Sequence, residues 1–505
     1  MKILLTRKQT QEGNYISEIK EADEYTIAHE PIASIDLMER ASRAFVSSFI
    51  QHFPVSYKKL LIICGLGDNG GDGLAIARML YALGYELEVF AINYASKQST
   101  NFQINLARLK NKIQPKWINH INEIPDFQPN NLVIDAILGA GLSRPLEDLI
   151  KSVVEKLNDS KAEIVTVDIP TGLFADSLNN KDDTILKATH TISFQSPKLA
   201  FVLPQNADFV GDWTIVNIGL NEGFIQSLKS QYVYTDGETA KALIKPRNKF
   251  ANKGNFGHAL MIAGSYGMIG AAVLSTKACL RSGVGKVTVY APGCGYEILQ
   301  TSVPEAMCLP NKSTDVLEEL PKLESYQAIG IGCGIGTKPE TVGLVEQLLK
   351  KIEVPIVIDA DALNIIASDK KLLKLIPKGV ILTPHPKEFQ RLIGKKWEND
   401  YEKLDILSQF ATEYKCIVCL KGAFTAVALP DGTIHFNSTG NAGMAKGGSG
   451  DVLTGMILAL LAQGYTSEEA AILGVYEHGL AGDRAAQLKG TTSMVASDII
   501  ESIRF

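Results

Sequence analysis

Short apolar runs that end at glycine, aspartate or proline alternate along this chain with stretches whose apolar residues recur every three or four positions. KLLIIC (59–64) predicts a strand, GLAIARMLYALG (73–84) a helix closed by Gly84, and ELEVFAI (86–92) a second strand. Before them, residues 23–53 carry Leu37, Met38, Ala41, Ala44, Phe45 and Phe49 at helical spacing. LVIDAIL (132–138), EIVTVDIP (163–170), HTISFQ (190–195) and WTIVNIG (213–219) continue the strand series. This alternation predicts an α/β fold with a mostly parallel, Rossmann-like, doubly wound sheet.

The pattern loosens over 221–245 into a polar stretch. A second series then starts at HALMIAG (258–264) and runs through VGKVTVYAP, YQAIGIGCGIG, PIVIDADAL, GVILTPHP, CIVCLKG and FTAVALPDGTIHF. Two long helical segments, 449–464 and 467–487, close it. Two domains are therefore expected, 1–225 and 235–505, in keeping with a length of 505 residues. The second is read as another doubly wound sheet.

Composition changes this picture little. Hydrophobic residues make up 46% and charged residues 21%, and the net charge is −5, which gives no hint of a nucleic-acid partner. The longest apolar stretches fall well short of the ~20 residues of a membrane span. With neither a leader pattern nor a span, a cytoplasmic protein is expected. Seven cysteines are scattered, and only Cys416 and Cys419 form C-x-x-C. They fall in an apolar run that reads as a buried strand, so a structural role is expected.

The chemistry gathers at strand ends. GLGDNGGDG (65–73) satisfies G-x-G-x-x-G at a strand-to-helix turn, where backbone N–H groups and the helix dipole favour an anion. A dehydrogenase also needs an acid after the second strand, and Asn93 stands there. Asp135 and Asp168 lie at two further strand ends, so Asp72, Asp135 and Asp168 are expected to converge with Asn69 and Thr171. Such oxygen ligands suit a hard cation, which would offset aspartates facing a phosphate. The other reading is that each aspartate caps a helix or turn. Lys198 reads as a solvated side chain, or else as one facing the same crevice.

In the second half, Gly447, Gly448, Ser449 and Gly450 precede a long helix, so their amides can form an anion hole. Asp451 then stands where it can take a proton from a hydroxyl attacking a terminal phosphate. Asp359, Asp361, Asn364 and Glu388 lie at strand ends able to hold magnesium through water, or serve as structural caps. His385, between two prolines, is read as a site residue.

The segments LMERA, GLGDNGGDGLAIAR, VIDAILGAGLSRPL and VDIPTGL resemble the YjeF N-terminal family, the NAD(P)H-hydrate epimerases, over about residues 1–220. The resemblance implies that Asp68, Asn69, Gly70, Gly71 and Asp72, with Gly139, Ala140, Gly141, Leu142, Ser143, Arg144 and Pro145, hold the hydrated nucleotide. It implies Asp168 at the reacting ring and Asn69, Asp135 and Thr171 around potassium. Asp68 stands where that family has asparagine, adding negative charge beside the phosphate.

GGSGD at the long helix resembles the anion hole of ribokinase-like kinases. With NKGNFGHALMIAGSYGMIGAA, GIGCGIG, VIDADALN, ILTPHPKEF and CLKGAFTAV it is similar to the ADP-dependent NAD(P)H-hydrate dehydratase family over about 245–505. That resemblance implies Lys421, Gly422, Ala423, Phe424, Thr425 and Gly450 at ADP or AMP. Ala271, Gly334, His385 and Asp451 would meet the hydrated nicotinamide, with Asp451 as base and Mg²⁺ as cofactor. Lys387 and Lys446 depart from the pattern and add positive charge near the expected phosphates. The expected activities are epimerisation of hydrated NADH or NADPH and ADP-dependent dehydration of the S epimer, by a homo-oligomer. The alternative is a ribokinase-type small-molecule kinase fused to a nucleotide-binding module.

Overall fold

The computed structural model describes residues 2–4, 6–9, 15–55 and 58–505. By internal contacts the chain divides into one unit spanning 3–230 and another containing 231–505.

In the first unit seven parallel strands run in the order 212–216, 190–194, 163–167, 131–136, 59–64, 87–92 and 116–118. The chain enters the sheet at 59–64, fifth in that order, winds outward to the nearer edge, and returns to build the strands on the other side. The topological switch point therefore lies between strands Lys59–Cys64 and Asn131–Ala136, whose carboxyl ends open a crevice. The central strands are apolar throughout because both faces are covered: Leu60, Ile62 and Cys64 pack against one helical layer, Leu61 and Ile63 against the other. Helix Asp68–Ala82 starts directly after the loop at 65–67. Gly70 is required there, because a Cβ on it would collide with the carbonyl oxygen of Gly65.

The helical pattern over 23–53 is two helices, Glu18–His29 and Ser34–His52. Pro31 separates them, since it offers no N–H and disfavours helix at the residue before it.

The second unit's eleven-stranded sheet has the short strand Lys2–Ile3 at one edge and then runs 232–235, 434–437, 426–428, 417–420, 381–382, 356–358, 328–331, 258–262, 286–291 and 307–310. From 232–235 onward, neighbours are parallel except across 417–420, 426–428 and 434–437, which are antiparallel. The polar stretch at 221–245 is more ordered than its composition suggests. Tyr232–Thr235 is a strand paired in parallel with Ile434–Asn437, and Gly237–Leu243 is a helix capped by Asp236. Helix Ser449–Ala462 is buried along almost its whole length, which explains its all-round apolar sequence.

All seven cysteines are free; Cys416 and Cys419 are buried, and burial pushes both thiols to about 12. No helix among the described residues is long and apolar enough to cross a membrane.

Candidate active sites

The first crevice is built at the switch point. Asp135 is the penultimate residue of strand Asn131–Ala136 and is fully buried. Its Oδ1 accepts bonds from Thr171 Oγ1 at 2.7 Å and Ile137 N at 3.2 Å, and its Oδ2 from Thr166 Oγ1 and Thr171 N, both at 3.1 Å. Burial raises its pKa to about 6, and these bonds limit the rise. Three residues on, Leu138 N donates to Thr171 Oγ1, and Gly139 lies against the Asn69 side chain. Asn69, Asp135 and Thr171 thus share one corner. The Asn69 amide nitrogen is buried there with no acceptor, and turning the amide over would present oxygen instead.

Asp72 is buried within helix Asp68–Ala82 and accepts from Ser42 Oγ at 3.2 Å. Burial pushes it well above the usual carboxylate range, and Asp168 and Asp68 push the same way. Asp68 is exposed in the helix's first turn and accepts from Asn101 Nδ2 at 3.2 Å. That position suits a carboxylate by the helix dipole alone. The loop 139–145 is partly to fully exposed beside this corner.

Asp168 follows strand Glu163–Val167 with φ of +67°, a left-handed conformation costly for a residue with a side chain. Its Oδ1 accepts from Ser193 Oγ at 3.1 Å, Phe194 N at 3.1 Å and Lys198 Nζ at 2.8 Å. Its other oxygen takes none of these bonds. The expectation of a solvated Lys198 is overturned: the side chain is 1% exposed. All three of its N–H groups are spent, on Asp168, the carbonyl of Phe194 at 3.2 Å and that of Ser196 at 3.3 Å.

In the second unit a cavity of about 690 Å³ lies over the amino end of helix Ser449–Ala462. It is lined by Lys421, Gly422, Ala423, Thr425, Gly447, Ser449, Gly450 and His385, among others. Phe424 and Gly448 are outside this lining. Gly448 instead makes the turn into the helix, with φ of +91°. Lys421 Nζ donates to Asp359 Oδ1 at 3.0 Å, and Thr454 Oγ1 to Asp359 Oδ2 at 2.8 Å. Burial is the largest influence on Lys421 and works against its charge, but Asp359, Glu388 and Cys333 together outweigh it and raise the pKa.

Asp451 lies with Asp359 and Cys333, their ligating atoms all within 4.8 Å of one another. Burial lifts Asp451 to about 6, against a hydrogen bond from the Cys333 thiol, and Asp359 adds to the rise. Gly334 follows Cys333 and touches Ala271, so Ala271, Gly334 and Asp451 are neighbours. His385 caps helix Pro386–Ile393: its Nδ1 accepts from Lys387 N and Glu388 N, and its Nε2 meets Glu388 Oε1 at 3.3 Å. Burial lowers its pKa, in accord with a ring whose Nδ1 serves as acceptor.

Two family models match the chain. Residues 34–200 match the YjeF-related protein N-terminus and 259–504 match NAD(P)H-hydrate dehydratase. A bifunctional NAD(P)H-hydrate repair enzyme from Moorella thermoacetica is 35% identical across 97% of this chain and 95% of its own. The chain belongs to the bifunctional NAD(P)H-hydrate repair enzyme family. Its Escherichia coli relative is 32% identical over 93% of this chain and 88% of its own. An ADP/ATP-dependent NAD(P)H-hydrate dehydratase from Bacillus subtilis, crystallised with ATP and Mg²⁺, is 31% identical with a TM-score of 0.47, over 54% of this chain and 96% of its own.

Within this family frame, two charge departures look different in three dimensions. Lys446 Nζ donates to the carbonyls of Thr492 and Met494 at 2.6 and 2.7 Å, so its charge is tied to the C-terminal segment. Lys387 is exposed on the first turn of its helix. The sequence reading missed Cys333 on Asp451 and the Lys198–Asp168 pair. For Lys198 the signal was a lysine set between a proline and an apolar run.

Proposed function

We infer that the N-terminal unit interconverts the R and S epimers of hydrated NADH or NADPH, and that the C-terminal unit dehydrates the S epimer with ADP, giving AMP and phosphate. The observation that carries the second half is Asp451: a base lifted to about 6, beside a glycine-rich helix start and a nucleotide-sized cavity. At neutral pH it is ionised, and it takes the proton of the C6 hydroxyl as that oxygen attacks the terminal phosphate of ADP. Phosphate is a far better leaving group than hydroxide, and its loss from C6, with a proton from C5, restores the dihydropyridine. The amides of Gly447 to Gly450 and the Lys421 ammonium offset the phosphate charge.

Magnesium fits this unit only through water and the nucleotide. Asp359, Asp361 and Asn364 each already accept a bond, from Lys421 and Thr454, from Gly336 N, and from Arg391 respectively. It would neutralise phosphate charge. In the N-terminal unit Asn69, Asp135 and Thr171 suit potassium, since the corner is all oxygen once the orphaned Asn69 amide is turned. A cation there would offset the aspartates that line the crevice. The loop 139–145 and the start of helix Asp68–Ala82 would bind the nucleotide.

The test supplies separated epimers of hydrated NADH with ADP and magnesium, and follows the return of dihydronicotinamide absorbance. The S epimer should convert in the parent but not in Asp451→Asn; equal rates in both would overturn the assignment. R-epimer consumption should additionally need Asp168 and potassium. A phosphorylated product that accumulates, in place of free phosphate, would point to a small-molecule kinase.

A further inference from the structure

Helix Glu18–His29 brings a carboxyl to the first crevice that belongs to none of the motifs. The helix seats Ala22, Ile19 and Ile27 on an apolar cluster with Leu37, Ala41, Ile218, Leu220 and Ile225, and Phe194 packs at its edge. Phe194 also supplies the backbone N–H that holds Asp168, so the cluster on which the helix is seated reaches the residue that positions Asp168. Asp23, half-buried, follows Ala22. The charges bearing on it are Asp168 and Lys198 from the strand ends, Glu24 from its own helix and Asp68 from the start of helix Asp68–Ala82. Asp23 in turn bears on Asp72.

Besides Glu24 on its own helix, Asp23 meets four titratable groups of the crevice, and all four are already engaged. Lys198 has used its three N–H groups, Asp168 Oδ1 holds three donors, Asp72 is bonded to Ser42, and Asp68 to Asn101. Asp23 has no hydrogen bond among the described residues. We propose that Asp23 is the acid catalyst of epimerisation, donating its proton to the C6 hydroxyl of the hydrated ring, with Asp168 as its counterpart base.

Burial first, and then the Asp168 charge, lift Asp23 to about 7, so near neutrality a large fraction carries the proton. Asp168 is instead paired with an ammonium and keeps one oxygen clear. In the step, the lone pair of the ring nitrogen forms the C6=N1 bond as the C6–O bond breaks, and the leaving hydroxyl departs with the Asp23 proton as water. Water then adds to the opposite face of C6, the C=N pair returns to nitrogen, and Asp168 takes the proton. One water leaves and one enters, no oxidant is needed, and the carboxyls exchange roles in the reverse direction.

The inference rests on the epimerase reading of this unit, and its test separates the two. Conversion of R- to S-hydrated NADH is measured on the full chain, corrected for the enzyme-free rate, from pH 5.5 to 9 (roughly spanning both limbs about a pKa near neutrality). The parent should convert R, with kcat/KM falling as pH rises past about 7. Asp23→Asn should lower kcat by roughly 10²- to 10⁴-fold with KM little changed and lose that limb. Its dehydration of supplied S epimer should equal the parent's. Asp23→Glu should recover part of the rate on a displaced pH limb. If the parent fails to convert R, the epimerase reading falls. If the parent converts and Asp23→Asn matches its kcat and pH profile, or loses only KM, the role of Asp23 falls. Should Asp23→Asn not fold, Asp23→Glu decides, because an undisplaced limb overturns the proposal.

Discussion

Lys198→Met should destabilise the N-terminal unit by about 3 kcal/mol, at the lower end of the range for breaking a buried ion pair from one side. The magnitude follows from what is left behind. Lys198 is 1% and Asp168 14% exposed, so removal of the ammonium strands a largely buried carboxylate. Asp168 keeps the Ser193 and Phe194 donors, which holds the cost down, but the Phe194 and Ser196 carbonyls each lose a bond. Against a typical domain stability of about 5–15 kcal/mol this is a large fraction. Asp168→Asn with Lys198→Met removes both charges and should be less destabilised than Lys198→Met alone, giving a coupling of at least 1 kcal/mol (about the low end for contacting pairs). Two of the three tryptophans, Trp117 and Trp213, lie in this unit, so a Trp397→Phe background lets fluorescence report its urea transition. A loss below about 1 kcal/mol, or strict additivity in the cycle, would falsify the view that this pair is a buried charge bond. R-epimer turnover should fall with it, while dehydration of the S epimer holds.

Three more outcomes are expected. Dehydration of the S epimer should be present above about pH 6 and fade as pH drops through that value, because Asp451 must be ionised to act as base; a flat profile from pH 5 to 8 (about the window around that pKa) would contradict it. Gly448→Ala should lower the C-terminal melting temperature, since a left-handed residue with a side chain costs about 1–2 kcal/mol and its Cβ would lie 2.6 Å from Leu274 Cδ1. Unchanged melting and unchanged ADP affinity would show that the turn tolerates a side chain. His435 and His478 are buried neutral, with burial lowering each to about 4 from an unfolded value near 6.5. Below about pH 6.5 the unfolded chain gains protons that the fold does not. Stability of the C-terminal unit should therefore be full at pH 7 and decline toward pH 4, by on the order of 3 kcal/mol per histidine. Urea midpoints that agree at pH 7 and 5 would contradict this.

Residues legible in the sequence are those whose role is set by a run of neighbours. Asp135, Asp168, Asn69 and the 447–451 loop all sit where a strand ends or a helix begins, and that junction is written locally. Lys198 was hard to read because its partner lies thirty positions upstream, and its one local cue, a place between a proline and an apolar run, does not name that partner. Asp23 was hidden by a different cause: its helix is polar and only weakly amphipathic, so the inward face does not announce itself. The single helix expected over 23–53 failed on Pro31, a breaker present in the sequence but outweighed by the spacing around it. Strand Tyr232–Thr235 was concealed by polar flanks, although YVYT carries the aromatic and β-branched residues of a strand.

That strand decides where this chain could be cut in two. Dissecting the protein at the end of the polar stretch, near 245, would look natural on composition. Such a fragment would leave Ile434–Asn437 without the backbone partner that covers one of its sides, a row of open donors and acceptors inviting another molecule's edge. A fragment begun at Gln231 carries the covering strand with it. Solubility of the separated dehydratase half, and the ease of moving it onto another carrier, thus depends on fourteen residues that resemble a tether.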